Sequence, residues 1–172
     1  MRHIAQMVGQ ELRWNQPRAP KMEYELRAGE ELVATLRFRS SWGSFATAES
    51  ADGCWTFKRV GFWQTRVTVR PCESEAEIAT FRQGTWSAGG TLELPDGRKY
   101  LASTNFWQTQ YEIQTESGEP LIRFRTGGVL RMTAQMEIEP MAAELPELPW
   151  MAMLGFYLAV MMRNDSAAAA AG

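Results

Sequence analysis

From Tyr24 onward, apolar and polar residues alternate with a period of two, the pattern of strands with one face in a core and the other in water. Tyr24 and Leu26, then Leu32, Ala34, Leu36 and Phe38, form a first hairpin turned at Gly29. Trp55 and Phe57 follow an Asp52-Gly53 pair, and Thr65, Val67 and Val69 alternate with Arg66, Thr68 and Arg70. Asp-Gly between alternating segments signals a hairpin, because both residues tolerate the positive φ of a two-residue turn. Near residues 78–81 two inward sets fit equally, Ile78 with Thr80 or Ala79 with Phe81. The same order of pieces returns over residues 91–94, 98–103, 106–115 and 119–125, with a last strand or bent pair over 129–139.

The return has a fixed period. Phe62-Trp63-Gln64-Thr65 recurs letter for letter as Phe106-Trp107-Gln108-Thr109, 44 positions on, and Asp52-Gly53 and Trp42 recur at the same spacing as Asp96-Gly97 and Trp86. Phe-Arg pairs at Phe38, Phe81 and Phe124 are spaced by 43. Self-similarity of this kind marks a supersecondary unit used more than once. Four strands per unit give eleven or twelve strands, and short antiparallel strands in that number make a sandwich or a barrel. Propellers typically need four or more blades, and about three and a half units are present. The expectation is a closed antiparallel barrel of about twelve strands, mainly β, built from repeats of about 44 residues. Tryptophans at repeat-equivalent positions are expected to pack alike, at the barrel wall or its ends.

After Pro140, Pro146 and Pro149 the run 150–162 is apolar on every side, and Arg163 follows it. A helix with no polar face is surrounded by protein or by lipid. Fifteen residues, 148–162, rise roughly 22 Å, short of the ~30 Å of a bilayer core. A twelve-strand barrel has a lumen wider than its own side chains fill, so the run is expected to lie inside it as a central helix over 149–163. Leu154, Phe156, Leu158 and Val160 should then be buried. The alternative is a tail anchor. The remaining boundaries are an N-terminal extension 1–20, carrying a short amphipathic helix on Ile4, Met7, Val8 and Leu12, barrel strands over 22–139, and a disordered tail 166–172, all in a single domain of 172 residues.

Composition changes little. The charged fraction is 22 % and net charge is −2, so no global field draws nucleic acid, and none is expected as a partner. No secretory leader pattern opens the chain. Cys54 and Cys72 could pair in a disulfide, but two free buried thiols of a reducing compartment are the better reading, which makes the expected location cytoplasmic.

A meander of about twelve strands with Asp-Gly hairpins, closed by the all-apolar helix 150–162, resembles the tubby-like superfamily, which includes tubby C-terminal domains, phospholipid scramblases and LURP-one-related proteins. The resemblance runs from about Tyr24 to Met162. It implies a helix-threaded barrel acting at membranes or in regulation, with phospholipid or phosphoinositide head groups as partners and a place peripheral to the membrane. The chain departs from the family's scramblases in having neither a cysteine-rich palmitoylation segment nor an Asp-x-Asp-x-Asp-Gly run for Ca²⁺.

Candidate chemistry is sparse. One histidine, His3, and two cysteines cannot supply four zinc ligands, and neither Gly89-Gly90 nor Gly127-Gly128 opens a helix with a Lys-Ser/Thr behind it. Glu73, Glu75 and Glu77, or Glu116 with Glu119, are carboxylate groups in expected turns. No metal or cofactor is implied, and no catalytic residue is assigned. The densest basic pairs, Lys58-Arg59 and Arg98-Lys99, follow the two equivalent Asp-Gly turns and are taken as head-group ligands near one rim. The expected function is a non-enzymatic binding or regulatory module that engages anionic lipid head groups. The alternative is a small-ligand carrier or hydrolase with its site in the barrel mouth.

Overall fold

A computed structural model describes residues 1–84, 89–105 and 107–172. Three groups of four strands follow one another around a closed antiparallel barrel. The first comprises β1 (Leu12–Asn15), β2 (Glu23–Ala28) and β3 (Glu31–Phe38), together with β12 (Thr133–Ile138), which pairs with β1 and closes the ring. The second is β4 (Ala46–Ser50), β5 (Gly53–Val60), β6 (Arg66–Pro71) and β7 (Ala79–Gln83). The third is β8 (Gly90–Glu93), β9 (Lys99–Thr104), β10 (Gln110–Thr115) and β11 (Pro120–Gly127). A shift of 44 carries β6 onto β10 end for end. Phe38, Phe81 and Phe124 are all buried, one from each group. At 79–81 the inward set is Ala79 with Phe81. The period is therefore a structural unit, and the third copy is assembled from the two ends of the strand array.

The lumen holds α1 (Leu148–Ala171), opened by Pro149 in its first turn, where a missing N–H costs nothing. Trp14 stacks on Phe156 at 4.5 Å and 2°, Tyr24 meets the same ring edge-on at 5.2 Å, and Phe38 stacks on Tyr157 at 5.4 Å. These contacts press one face of α1 against β1–β5. Toward the opposite wall α1 presents Gly155, where a Cβ would strike the Phe124 ring. Leu154, Phe156 and Val160 are buried as expected, but Leu158 is only half-buried, on the lining of a narrow cleft beside α1. Among the described residues, no helix is long and apolar enough to cross a membrane.

Several expectations are corrected. The extension 1–20 contains β1, so it is part of the barrel. Ile4–Met7 forms only a 3-10 turn, after which Leu12 and Trp14 alternate inward as strand residues. The tail 166–172 is not disordered, since α1 continues, exposed, to Ala171. Cys54 and Cys72 are joined in a disulfide between β5 and the end of β6, with Cα atoms 5.4 Å apart. Two thiols bonded to each other no longer argue for a reducing compartment.

Candidate functional site

In an antiparallel meander successive connections alternate between the two ends of the barrel, and the ends differ in chemistry. One end carries the connections 29–30, 51–52, 72–78, 94–98 and 116–119. These include Glu30, Asp52, Asp96, Glu116 and Glu119, besides the glutamates of 72–78, and Arg98 is their one basic residue. Here the chain covers its own openings. The Asp52 carboxylate accepts from the Ile4 amide at 2.9 Å and meets His3 Nδ1 at 2.8 Å, so the terminal segment is pinned to a hairpin turn. Glu147, buried before α1, takes a hydrogen bond from Arg98, which also reaches Asp96 at 2.7 Å. The two carboxylates hold the Arg98 guanidinium charged more firmly than usual, and Tyr100 Oη lies 3.4 Å from Glu147.

The other end carries the connections 16–22, 39–45, 61–65, 84–89, 105–109 and 128–132. Their described residues include Arg18, Lys21, Arg39 and Arg131 and no carboxylate. Glu23 opens the neighbouring β2, and Asp165 of α1 is bound by Arg59 at 2.7 Å. The same loops hold most of the large apolar side chains that stand in solvent. Trp42 is 99 % exposed, Trp63 91 % and Trp107 78 %, and Phe62, Val129 and Leu130 are also bare. The expected packing of the repeated tryptophans is thereby corrected: they lie at an end of the barrel, but outside it. The marker residues Trp86 and Phe106 fall outside the described residues.

These loops are braced from below. Asn105 Oδ1 accepts from the amides of Thr109 at 2.9 Å and Gln110 at 3.0 Å, and its Nδ2 donates to Thr109 Oγ1 at 3.0 Å. The Ser44 carbonyl accepts from Tyr157 Oη at 2.6 Å, and burial pushes that phenol above its ordinary range. Arg163 donates to the carbonyls of Gly128 and Val129, both at 2.9 Å. Gly61 and Gly128 have φ of +96° and +87°, and a Cβ on either would run into the carbonyl that closes its loop. The C-terminal part of α1 leaves the barrel at this rim, where Ser166 Oγ meets Gln108 at 3.1 Å.

Of the four basic residues singled out from the sequence, Lys58 and Arg59 lie at the rim end of β5, while Arg98 and Lys99 lie at the covered end of β9. They are not brought together. The Asp-Gly turns are indeed equivalent, but Lys58 stands one strand length beyond its turn and Arg98 stands beside its own. Of the carboxylates, Glu75 and Glu77 approach Arg70 at 3.3 and 3.1 Å, and Glu116 and Glu119 lie exposed in a turn. Sequence reasoning missed the rim itself. Its signal was available in assigning alternate connections to opposite ends and counting charge on each. Between α1 and the β6–β10 wall runs a narrow cleft of about 50 Å³, lined by Val67, Phe81, Tyr111, Ile113 and Leu158, with Arg59 and Arg66 also on its lining. Among the described residues no cluster of three potential metal ligands occurs. Comparison with protein-family models, with curated proteins and with solved structures gives no match.

Proposed function

We propose that this protein is a non-enzymatic binding module, resembling the tubby-like proteins, that engages anionic lipid head groups through its basic rim. The observation that carries the reading is the segregation of charge between the two ends of the barrel: the described rim loops hold four basic residues and no acidic one. A chain of net charge −2 thereby offers an anionic surface one attractive face and one repulsive face. Juxtamembrane basic residues each contribute about 1 kcal/mol near such a surface, enough in sum for reversible association. Lys58 adds to this face, whereas Arg98 is already engaged by Glu147 and Asp96.

Liposome flotation tests the proposal. Binding to vesicles containing phosphatidylserine, absent from pure phosphatidylcholine and weakened by salt, is expected. Charge reversal at Arg18, Lys21 and Arg131 should abolish it. Equal behaviour of neutral and anionic vesicles would remove the idea.

The cleft supports the carrier reading as a second possibility. Its apolar lining suits a thin hydrophobic ligand, and its volume admits a few water-sized groups. Its carboxylates are already occupied, Asp165 by Arg59 at 2.7 Å and Glu112 by Arg123 at 3.7 Å, which favours carriage over hydrolysis. Native mass spectrometry of the purified chain would reveal a retained ligand, and Leu158→Trp should displace it.

A further inference from the structure

We infer that the aromatic tips of the rim insert into the interfacial layer of an anionic bilayer, standing the barrel upright with α1 close to the membrane normal. The inference rests on the rim's attraction to anionic lipid proposed above and adds a second, apolar component to it. Trp63 and Trp107, equivalent positions of the most faithful repetition in the chain, both stand largely in water. Packing explains repeated residues inside a barrel, as with Phe38, Phe81 and Phe124; it does not explain repeated rings outside one.

The tips come from four separate hairpins spaced around the ring. Trp42 lies between β3 and β4, Phe62 and Trp63 between β5 and β6, Trp107 between β9 and β10, and Val129 and Leu130 between β11 and β12. All emerge at one end, so they define a face rather than a scattered set. Large apolar side chains gathered at one exposed end mark an interaction surface. Braced loops also lose little conformational freedom on docking, and Asn105, Ser44 and Arg163 provide that bracing here.

The chemistry of the face selects its occupant. Tryptophan and phenylalanine in the same layer as arginine and lysine are the composition of a bilayer interface, where rings sit at head-group depth and cations meet phosphate. A second copy is a poor fit, because two rims face to face would set Arg18, Lys21, Arg39 and Arg131 against their own counterparts. The exposed end of α1, with five alanines from 167 to 171, leaves at the same rim.

The test uses the intact chain with vesicles of phosphatidylcholine and phosphatidylserine, in which either lipid's acyl chains can be replaced by brominated ones. Insertion predicts a blue shift of tryptophan emission on vesicle addition and quenching by the bromolipid. In the triple variant Trp42→Ser, Trp63→Ser, Trp107→Ser both signals should weaken and vesicle affinity should fall at least ~tenfold, with the far-UV circular dichroism of the folded barrel retained. Binding without quenching, equally strong in the triple variant, would overturn insertion and leave head-group attraction standing. Absence of any charge-dependent binding would overturn both. Concentration-dependent dimerisation that the triple variant abolishes, without quenching, would assign the face to a second copy and overturn insertion as well.

Discussion

The covered end and the rim are made by the same repeating strands, yet they obey different rules. At the covered end the key groups are partnered within the chain: Asp52 holds Ile4, Glu147 holds Arg98, and Cys54 is bonded to Cys72. At the rim the backbone is equally well partnered, but large side chains stand mostly in water. Trp42 and Trp63 present nearly their whole surface to water. Folding accounts for the partnered groups of the first end but not for the exposed rings of the second. What the rim displays beyond that is surplus to stability, and surplus of that kind points outward, to a partner.

Four substitutions or conditions separate the two ends by the size of their effect. The largest strikes both together, through the helix that joins them. Leu154 is 1 % exposed, and Leu154→Asp would bury an unpaired carboxylate at a penalty of about 3–5 kcal/mol, a large share of the stability of an ordinary domain. Loss of near-UV circular dichroism and of solubility is expected, and the same outcome follows deletion of residues 150–172. A native-like spectrum from either protein would remove α1 from the core. The second change acts on the covered end alone. Cys54 and Cys72 close a loop of separation 18, and reduction or Cys54→Ser should lower stability by about 3 kcal/mol, readable as a fall in Tm of roughly 6–12 °C.

Third comes alkaline pH. Burial pushes the Tyr24 phenol up to about 12 and raises those of Tyr157, Tyr111 and Tyr100 as well. A group that binds its proton more tightly folded than unfolded stabilises fully below its unfolded pKa, about 10. That contribution is lost as pH rises through the folded value. Denaturant midpoints should therefore be flat below pH ~10 and fall between pH ~10 and ~12. The smallest effect belongs to the rim. Trp42→Ser should alter unfolding free energy by no more than about 0.5 kcal/mol, because the ring touches so little. A large loss there would mean that the fold depends on the tip after all, and would erase the distinction between the ends.

Much of this architecture was legible in the residues. Period-two alternation located the strands, spacings of 44 and 43 residues paired Trp63 with Trp107 and Phe81 with Phe124, and the featureless apolarity of residues 150–162 with its short length pointed to an enclosed helix. Other elements were obscured for physical reasons. In β1 the inward pair is only Leu12 and Trp14, and the helix-like spacing of Ile4, Met7 and Val8 just before it masks so short an alternation. The disulfide depends on register: once Trp55 is set opposite Pro71, Cys54 and Cys72 are neighbours, but that pairing follows only from the folded hairpin. The candidate basic cluster failed because similarity along the chain was taken for proximity in space. Lys58 and Arg98 follow equivalent turns at different distances, and along a strand a few residues separate one end of the barrel from the other.

The position of α1 in the chain also bears on how the protein is made. The strand that begins the ring, β1, leaves the ribosome about 136 residues before the helix on which its Trp14 stacks. At ~5–20 residues per second that gap lasts roughly 7–27 s. Until it ends, no arrangement of the strands has a filled interior, and β12, the closing partner of β1, itself emerges only shortly before the helix. Contacts of such long sequence separation make folding slow and concerted. Nascent chains arrested before residue 148 should therefore be open to proteases along their whole length, and protection should arrive in a single step once the helix is clear of the exit tunnel.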